Sequence, residues 1–498
     1  MLKKIRVVLA SVLFVLCLML FLDFTGFFAG YFGWIAKIQF VPAVLAVNLI
    51  VVAALVLLTF VFGRVYCSVV CPLGIFQDLI SWISSKRKGF NARFGYSKEL
   101  KWLRYLLLIV FVATLIAGIP AVYTLIEPYS SFGRIANSLF SPVYQWINNA
   151  FAYLAERADS YAFYHKEVLL KGISTLVVAS VSLVLIFVLA WKKGRIYCNS
   201  VCPVGTLLGL ISKIALFRPV LDKSKCTSCK QCAKKCKSSC IDIESGKIDY
   251  SRCVVCFDCL STCKFGALEY KFAYGKKDEQ KDNSSQSGNP ENISRRGFLA
   301  VTGVVAASVA AKGQHKVDGG LAPLEDKQIP QRNKPIVPPG AVSLEHLSAH
   351  CTACQLCVSA CPNNVLRPSD SLERFMQPES SYEKGFCRPE CNKCSQVCPN
   401  GAIKPLAVED KVSTHIGHAV WVQKNCLPAS QGVSCGLCAR RCPVGAITMV
   451  QLEGAQEGIK VPSVDTEKCI GCGACEYYCP SRPYPAIYVE GNDRQFVK

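Results

Sequence analysis

Acidic residues are scarce in this sequence, 35 Asp and Glu against 56 Lys and Arg, and histidine is scarcer still, six in 498 residues. None of those histidines lies inside a long apolar stretch, so paired imidazoles cannot hold a haem within a bilayer. No glycine-rich nucleotide loop and no Ser/Thr motif for flavin attachment is present, which argues against a self-contained enzyme. The shortage of acidic groups is local. Residues 1–281 carry 34 basic and 15 acidic side chains, a net +19, whereas 282–498 carry 22 and 20, a net +2. Basicity gathered around apolar stretches reports membrane orientation and makes no case for nucleic acid.

Cysteine, by contrast, is abundant: 30 residues, in a chain too long to need disulfides in place of a core. That leaves metal or redox chemistry. Four apolar stretches, residues 5–22, 38–62, 105–122 and 173–191, are long enough to cross a bilayer of about 30 Å as helices. Basic side chains crowd Lys3 to Arg6, Arg64 to Arg104 and Lys192 to Arg195, placing these regions in the cytoplasm and residues 123–172 outside. The expected fold is an α-helical membrane domain of four transmembrane helices over residues 1–220, followed by α+β bacterial ferredoxin-like 4Fe-4S domains.

The membrane part contains a repeat. Tyr66-Cys67-Ser68-Val69-Val70-Cys71-Pro72-Leu73-Gly74 recurs as Tyr197-Cys198-Asn199-Ser200-Val201-Cys202-Pro203-Val204-Gly205, each copy just past a cytoplasmic span end. Packed about a pseudo-twofold axis, Cys67, Cys71, Cys198 and Cys202 would form an additional redox site; the alternative is that each pair only shapes a helix end. Cys17, alone in a span, reads as a small buried hydrophobe.

Beyond the membrane part, residues 221–274 read as a two-cluster ferredoxin domain, 275–293 as a linker, 294–312 as a twin-arginine signal or possible fifth span, 313–340 as a second linker and 341–498 as a four-cluster domain. Cubane clusters take three thiolates from one tight turn and a fourth from elsewhere, so CxxCxxCxxxC is their signature. Two copies stand in the first domain: Cys226, Cys229, Cys232, Cys236 and Cys253, Cys256, Cys259, Cys263. Lys237 and Lys264 replace the usual following proline, and Cys240 is spare, which leaves the ligand near Cys236 and Cys240 open. The second domain holds Cys351, Cys354, Cys357, Cys361; Cys387, Cys391, Cys394, Cys398; Cys426, Cys435, Cys438, Cys442; and Cys469, Cys472, Cys475, Cys479. Zinc would not need this rhythm, and eight disulfides in an exported domain would not produce it. About six 4Fe-4S clusters are expected from these 24 cysteines.

Other candidates are weaker. Glu127 or His165 in the 123–172 loop could serve a bound quinone, but the aromatics there (Tyr123, Tyr129, Phe132, Trp146 among them) also fit an interfacial belt. His415 and His418 flank no cluster spacing and read as surface loop.

With these motifs in place, residues 1 to about 274 resemble the NapH-type membrane quinol dehydrogenase ferredoxin subunit of periplasmic nitrate reductase systems. Residues 294–498, including Pro338-Pro339-Gly340-Ala341, resemble the exported NapG-type four-cluster subunit. The resemblance implies an oxidoreductase subunit without its own substrate site, passing electrons from quinol towards an extracytoplasmic redox partner, at a bacterial inner membrane with 221–274 cytoplasmic and 341–498 periplasmic. By analogy with four-cluster ferredoxin subunits, cysteine groups one and four of the outer domain would share ligands, as would two and three. A cytoplasmic electron carrier is a further candidate partner. From a different class, a redox-sensing regulatory or assembly polyferredoxin would carry the same clusters. The wiring has a gap: about 30 Å of hydrocarbon separates inner from outer clusters, so a quinone or partner is expected to connect them.

Overall fold

The computed structural model describes residues 1–23, 25–86, 94–274, 317–318, 322–323, 325–452 and 458–497. The 275–293 linker and the twin-arginine segment 294–312 lie outside the described residues.

The N-terminal half is helical. Leu2–Leu22 and Ile173–Lys193 are each 21 residues long, and among the described residues these two have the length and apolarity to cross a membrane. The other two expected spans are shorter helices. Residues 38–62 break into Phe40–Leu45 and Leu49–Phe62, because Val47 turns left-handed (φ 54°) and Asn48 then accepts from the Val51 amide as an N-cap. Lys101–Ile116 stops before Gly118 (φ 67°), and Pro120 opens a new helix at its first turn. The expected outer loop is also largely helical: Pro128–Ile135, a π segment Ala136–Phe140 and Ser141–Glu156 run on without a break.

Two small α+β units flank this helical unit. In the first, strand Phe217–Leu221 pairs antiparallel with Leu268–Phe272 around two five-residue helices, Gln231–Lys235 and Asp258–Thr262. In the second, Thr414–Trp421 pairs with Ile487–Val497 through a bulge between Gly491 and Phe496. His415 and His418 lie on this strand, which corrects their reading as surface loop: His415 is buried, stacks on Phe496 and donates from Nδ1 to the Cys469 carbonyl at 2.9 Å.

The two units sit at opposite ends of the helices. The first meets the start of Leu2–Leu22 (Lys3 to Asp258, 2.8 Å), the end of Leu49–Phe62 (Tyr270 hydroxyl to the Phe62 carbonyl, 3.0 Å), the start of Lys101–Ile116 (Arg104 to the Ser251 carbonyl, 3.1 Å) and the end of Ile173–Lys193 (Arg195 amide to the Lys237 carbonyl, 2.9 Å). The second meets the other ends: Lys393 donates to the Thr25 carbonyl, Gly401 faces Ala46, and Lys171 donates to the Val358 carbonyl. One continuous core runs from Cys17 and Phe21 through Tyr129 and Phe132 to Cys351, Cys354 and Cys357. Tyr123, Tyr129 and Phe132 are therefore buried beneath the second unit, not an interfacial belt; Trp146, Phe151, Tyr153, Tyr161 and Tyr164 remain exposed.

Candidate iron-sulfur sites

Backbone conformation shapes the sites first. In all four regular CxxCxxC turns the residues before and after the second cysteine have positive φ: Ser228 and Lys230, Val255 and Phe257, Ala353 and Gln355, Gly471 and Gly473, with φ between 51° and 78°. For β-branched Val255 this is a strained conformation that persists only where the surroundings impose it. Such turns aim successive amide N–H groups into one concavity, which suits an anionic centre.

Around these turns the thiols enclose cavities. One of about 350 Å³ is ringed by Cys226, Cys229, Cys232 and Cys263; another, of about 380 Å³, by Cys253, Cys256, Cys259, Cys236 and Cys240. Each takes three thiols from one motif and the last from the other. The remaining lining is largely apolar in the second, with Ile241, Ile248 and Val254; in the first Leu221, Ile243 and Leu268 stand beside Lys225, Thr227, Lys230 and Gln231. The four-thiol, three-plus-one arrangement fits a cubane.

The second unit repeats the scheme with a different pairing from the one the resemblance implies. Cys426, Cys435 and Cys438 share a cavity of about 340 Å³ with Cys479, the last thiol of group four. Conversely Cys442 lies within electrostatic reach of Cys469 and Cys472. Cys398 stands by Cys351, Cys354 and Cys357, and Cys361 by Cys387 and Cys394. Groups one and two exchange their last cysteines, as do three and four; the expected pairing of one with four and two with three is corrected. The reason is local packing: the short helices Leu356–Ala360 and Lys393–Val397 lie against each other, as do Leu437–Arg440 and Ala474–Tyr478. Amides of Ile403, Ala446 and Ala486 donate to the sulfurs of Cys398, Cys442 and Cys479 at 3.2–3.4 Å, the contacts that tune a cluster's potential.

Cys240 is close to the second inner site, its sulfur 3.5 Å from that of Cys236. The two thiols share a hydrogen bond in which either sulfur can donate; Cys236 holds the fourth position of its motif, which makes it the expected ligand and Cys240 its hydrogen-bond partner. Cys240→Ala is accordingly expected to keep its full iron content while one inner cluster becomes harder to reduce, measured by redox titration with EPR; loss of about four iron atoms would instead make Cys240 the ligand.

Lys237, standing where proline is usual, has a structural cause. Its ammonium reaches Asp258 at 3.3 Å and Asp78 at 3.6 Å, and its carbonyl accepts from Arg195, whose neighbour Gly194 leaves no room there for a Cβ. Asp78, on helix Pro72–Lys86, also pairs with Arg195 (2.7 Å) and Arg6 (2.9 Å). Burial alone would raise its pKa; Arg195, then Lys237 and Arg6, overcome this and hold the carboxyl well below its ordinary range. One ion network thus ties the first helix, the second repeat and the inner unit together.

The two repeats interlock. Arg64 of the first donates to the Cys198 carbonyl and Asn199 side chain of the second, while Arg195 of the second donates to the Cys67 carbonyl of the first. Gly74 and Gly205 leave room for these arginines: a Cβ on Gly205 would stand 2.7 Å from the Arg64 guanidinium and one on Gly74 3.1 Å from that of Arg195, and each would also overlap the Cys198 or Cys67 carbonyl oxygen of its own repeat. The result is a buried quartet: Cys71 and Cys202 each lie within electrostatic reach of both Cys67 and Cys198. Glu127 is buried and caps the following helix, each carboxylate oxygen accepting from one of the Tyr129 and Ser130 amides. His165 is exposed.

These features define the class: an iron-sulfur electron-transfer protein built on 4Fe-4S ferredoxin domains. Family matches agree, with a 4Fe-4S binding domain at residues 44–91 and 175–223 and 4Fe-4S dicluster domains at 350–416 and 432–482. The chain is 33% identical over 215 residues to ferredoxin-type protein NapG of Escherichia coli (strain K12), covering 41% of this chain and 88% of that protein. It is 34% identical over 152 residues to the methylamine utilization ferredoxin-type protein MauM of Methylophilus methylotrophus (28% of this chain, 65% of that protein), and 30% identical over 158 residues to ferredoxin-type protein NapF of Escherichia coli (strain K12) (32% and 87%). The chain thus spans a little under two thirds of the MauM relative's length. It belongs to the ferredoxin-type protein family that includes NapG, NapF and MauM. No solved structure matches it.

Proposed function

We propose that this chain is a membrane-embedded polyferredoxin that takes electrons from quinol and delivers them through 4Fe-4S clusters to an extracytoplasmic redox partner. The observation that carries this reading is the seating of the two ferredoxin units on opposite ends of the same helices. Basic side chains mark the end that bears the first unit as cytoplasmic, so the second faces outward. In this reading Cys226, Cys229, Cys232 and Cys263 hold one inner cluster, and Cys253, Cys256, Cys259 and Cys236 the other. The outer four are held by Cys351, Cys354, Cys357 with Cys398; Cys387, Cys391, Cys394 with Cys361; Cys426, Cys435, Cys438 with Cys479; and Cys469, Cys472, Cys475 with Cys442. The clusters supply one-electron carriage. The chain's residues position them, exclude water with apolar walls, and set their potentials through amide contacts to sulfur.

Two measurements test it. A quinol analogue added anaerobically to the purified protein should bleach the visible absorbance of its clusters; an unchanged spectrum, with dithionite still bleaching it, would remove quinol as donor. Alkaline phosphatase fused after residue 340 should be active outside the membrane and inactive when Arg295 and Arg296 are both lysine. A fusion that stays cytoplasmic with both arginines intact would overturn the outward placement.

A further inference from the structure

We propose that Cys67, Cys71, Cys198 and Cys202 together hold one additional 4Fe-4S centre, shared between the two repeats, and that this centre relays electrons across the bilayer between the inner and outer clusters. The relay rests on the reading of the helical unit as membrane-spanning; the metal site does not. The family matches treat residues 44–91 and 175–223 as two separate cluster-binding segments, whereas each segment brings two thiols, and the interlocked arginines and glycines bring all four to one place.

Three observations point to an anionic centre there. The sulfurs already have donors: the Gln77 side chain to Cys198 at 3.2 Å, the Gly205 amide to Cys202 at 3.3 Å and Arg64 to Cys67 at 3.7 Å. Arg64 is fully buried, yet its hydrogen bonds run to carbonyls, an amide and that sulfur; among the described residues it has no carboxylate partner. An uncompensated buried guanidinium is costly, and thiolates around a cluster would supply the missing negative charge. The Arg64 and Gln77 contacts cross between and within the repeats at one spot, so the polar groups converge on the quartet and not on two separate helix ends.

Bonded routes run from the quartet towards both ferredoxin units. Inward, the Arg195 amide donates to the Lys237 carbonyl beside Cys236, and Asn199 donates to the Ser238 carbonyl at 3.2 Å. Outward, Tyr197, adjacent to Cys198, donates its hydroxyl to the Ile126 carbonyl at 3.0 Å. The helix Pro128–Ile135 that follows presses Gly133 against the Cys354 carbonyl, where a Cβ would overlap it. Electrons crossing this way need no mobile quinone: an inner cluster loses one electron as the shared centre gains it, and the shared centre then passes it to the cluster near Cys354, with no bond made or broken.

Iron analysis of the whole purified protein tests the centre. The wild type should hold about twenty-eight iron atoms, seven centres of four. Cys71→Ser and Cys202→Ser should each lose about four, and the double variant no more than either; the remaining iron reports that the chain has folded. Wild-type iron near twenty-four, or a double variant that loses twice what each single variant loses, overturns the shared centre. For the relay, the protein is placed in quinone-free vesicles with the inner unit outside, and membrane-impermeant dithionite is added. EPR should show the lumenal clusters reduced in the wild type and at least tenfold more slowly in Cys202→Ser. Equal rates overturn the relay. Wild type that passes electrons across but ignores quinol would sink the quinol reading and leave the relay standing.

Discussion

Cys435→Ser, Cys479→Ser and the variant carrying both are expected to lose the same iron, about four atoms per chain, because the two thiols serve one cluster. The expectation comes from the cavity that Cys426, Cys435 and Cys438 share with Cys479, although 37 residues separate Cys442, the end of their own motif, from Cys479. Were group four paired with group one, Cys479 would serve the Cys351 site, and the double variant would lose about eight atoms. Non-additivity of this kind is the mark of two residues acting on one object. Iron quantitation, with far-UV circular dichroism to confirm the fold, decides between them. The same logic applies to Cys361 and Cys391, which should be equally non-additive.

Asp78→Asn should destabilise the protein by about 3–5 kcal/mol, the usual cost of stripping one partner from a buried ion network. Asn keeps the size and leaves Arg6 and Arg195 without a carboxylate, while Lys237 retains Asp258. Thermal unfolding in detergent measures the loss; a shift no larger than that of a surface Asp→Asn control would refute it. The pH dependence has a definite sign. Because the folded carboxyl is held below its ordinary value, its stabilisation is complete at neutral pH and is lost only as pH falls below the ordinary carboxylate range near 4. The gap between wild type and variant should therefore be constant from pH 8 to 6 and close in acid. Since Asp78 joins the first helix to the second repeat and the inner unit, the variant should also expose Lys237 to limited trypsin cleavage earlier than wild type.

Much of the cluster chemistry was legible because it is local. Three thiols in seven residues, with left-handed residues around the middle cysteine, are a property of one turn, so spacing alone marks Cys226 to Cys232 or Cys469 to Cys475 as cluster motifs. The doubled Tyr-Cys motif was equally visible. His415 was not legible, because a histidine bonded to a backbone carbonyl 54 residues away leaves no trace in spacing. The aromatics Tyr123, Tyr129 and Phe132 were read as a belt because burial by a distant unit looks, in sequence, like burial by lipid. Lys237 in place of proline has its reason in Asp78, Asp258 and Arg195, which lie far from it in sequence.

By itself the sequence determined cofactor type, the number of cysteine groups and the repeat, since each depends on residues within a turn or two of one another. Only the tertiary structure decided which motif's last cysteine stands beside which other motif, that the cysteines of both repeats meet in one place, and that the two ferredoxin units sit at opposite ends of the helices. Those outcomes depend on side chains tens to hundreds of residues apart, where packing of helix on helix and the pairing of buried charge, not local spacing, select the partner.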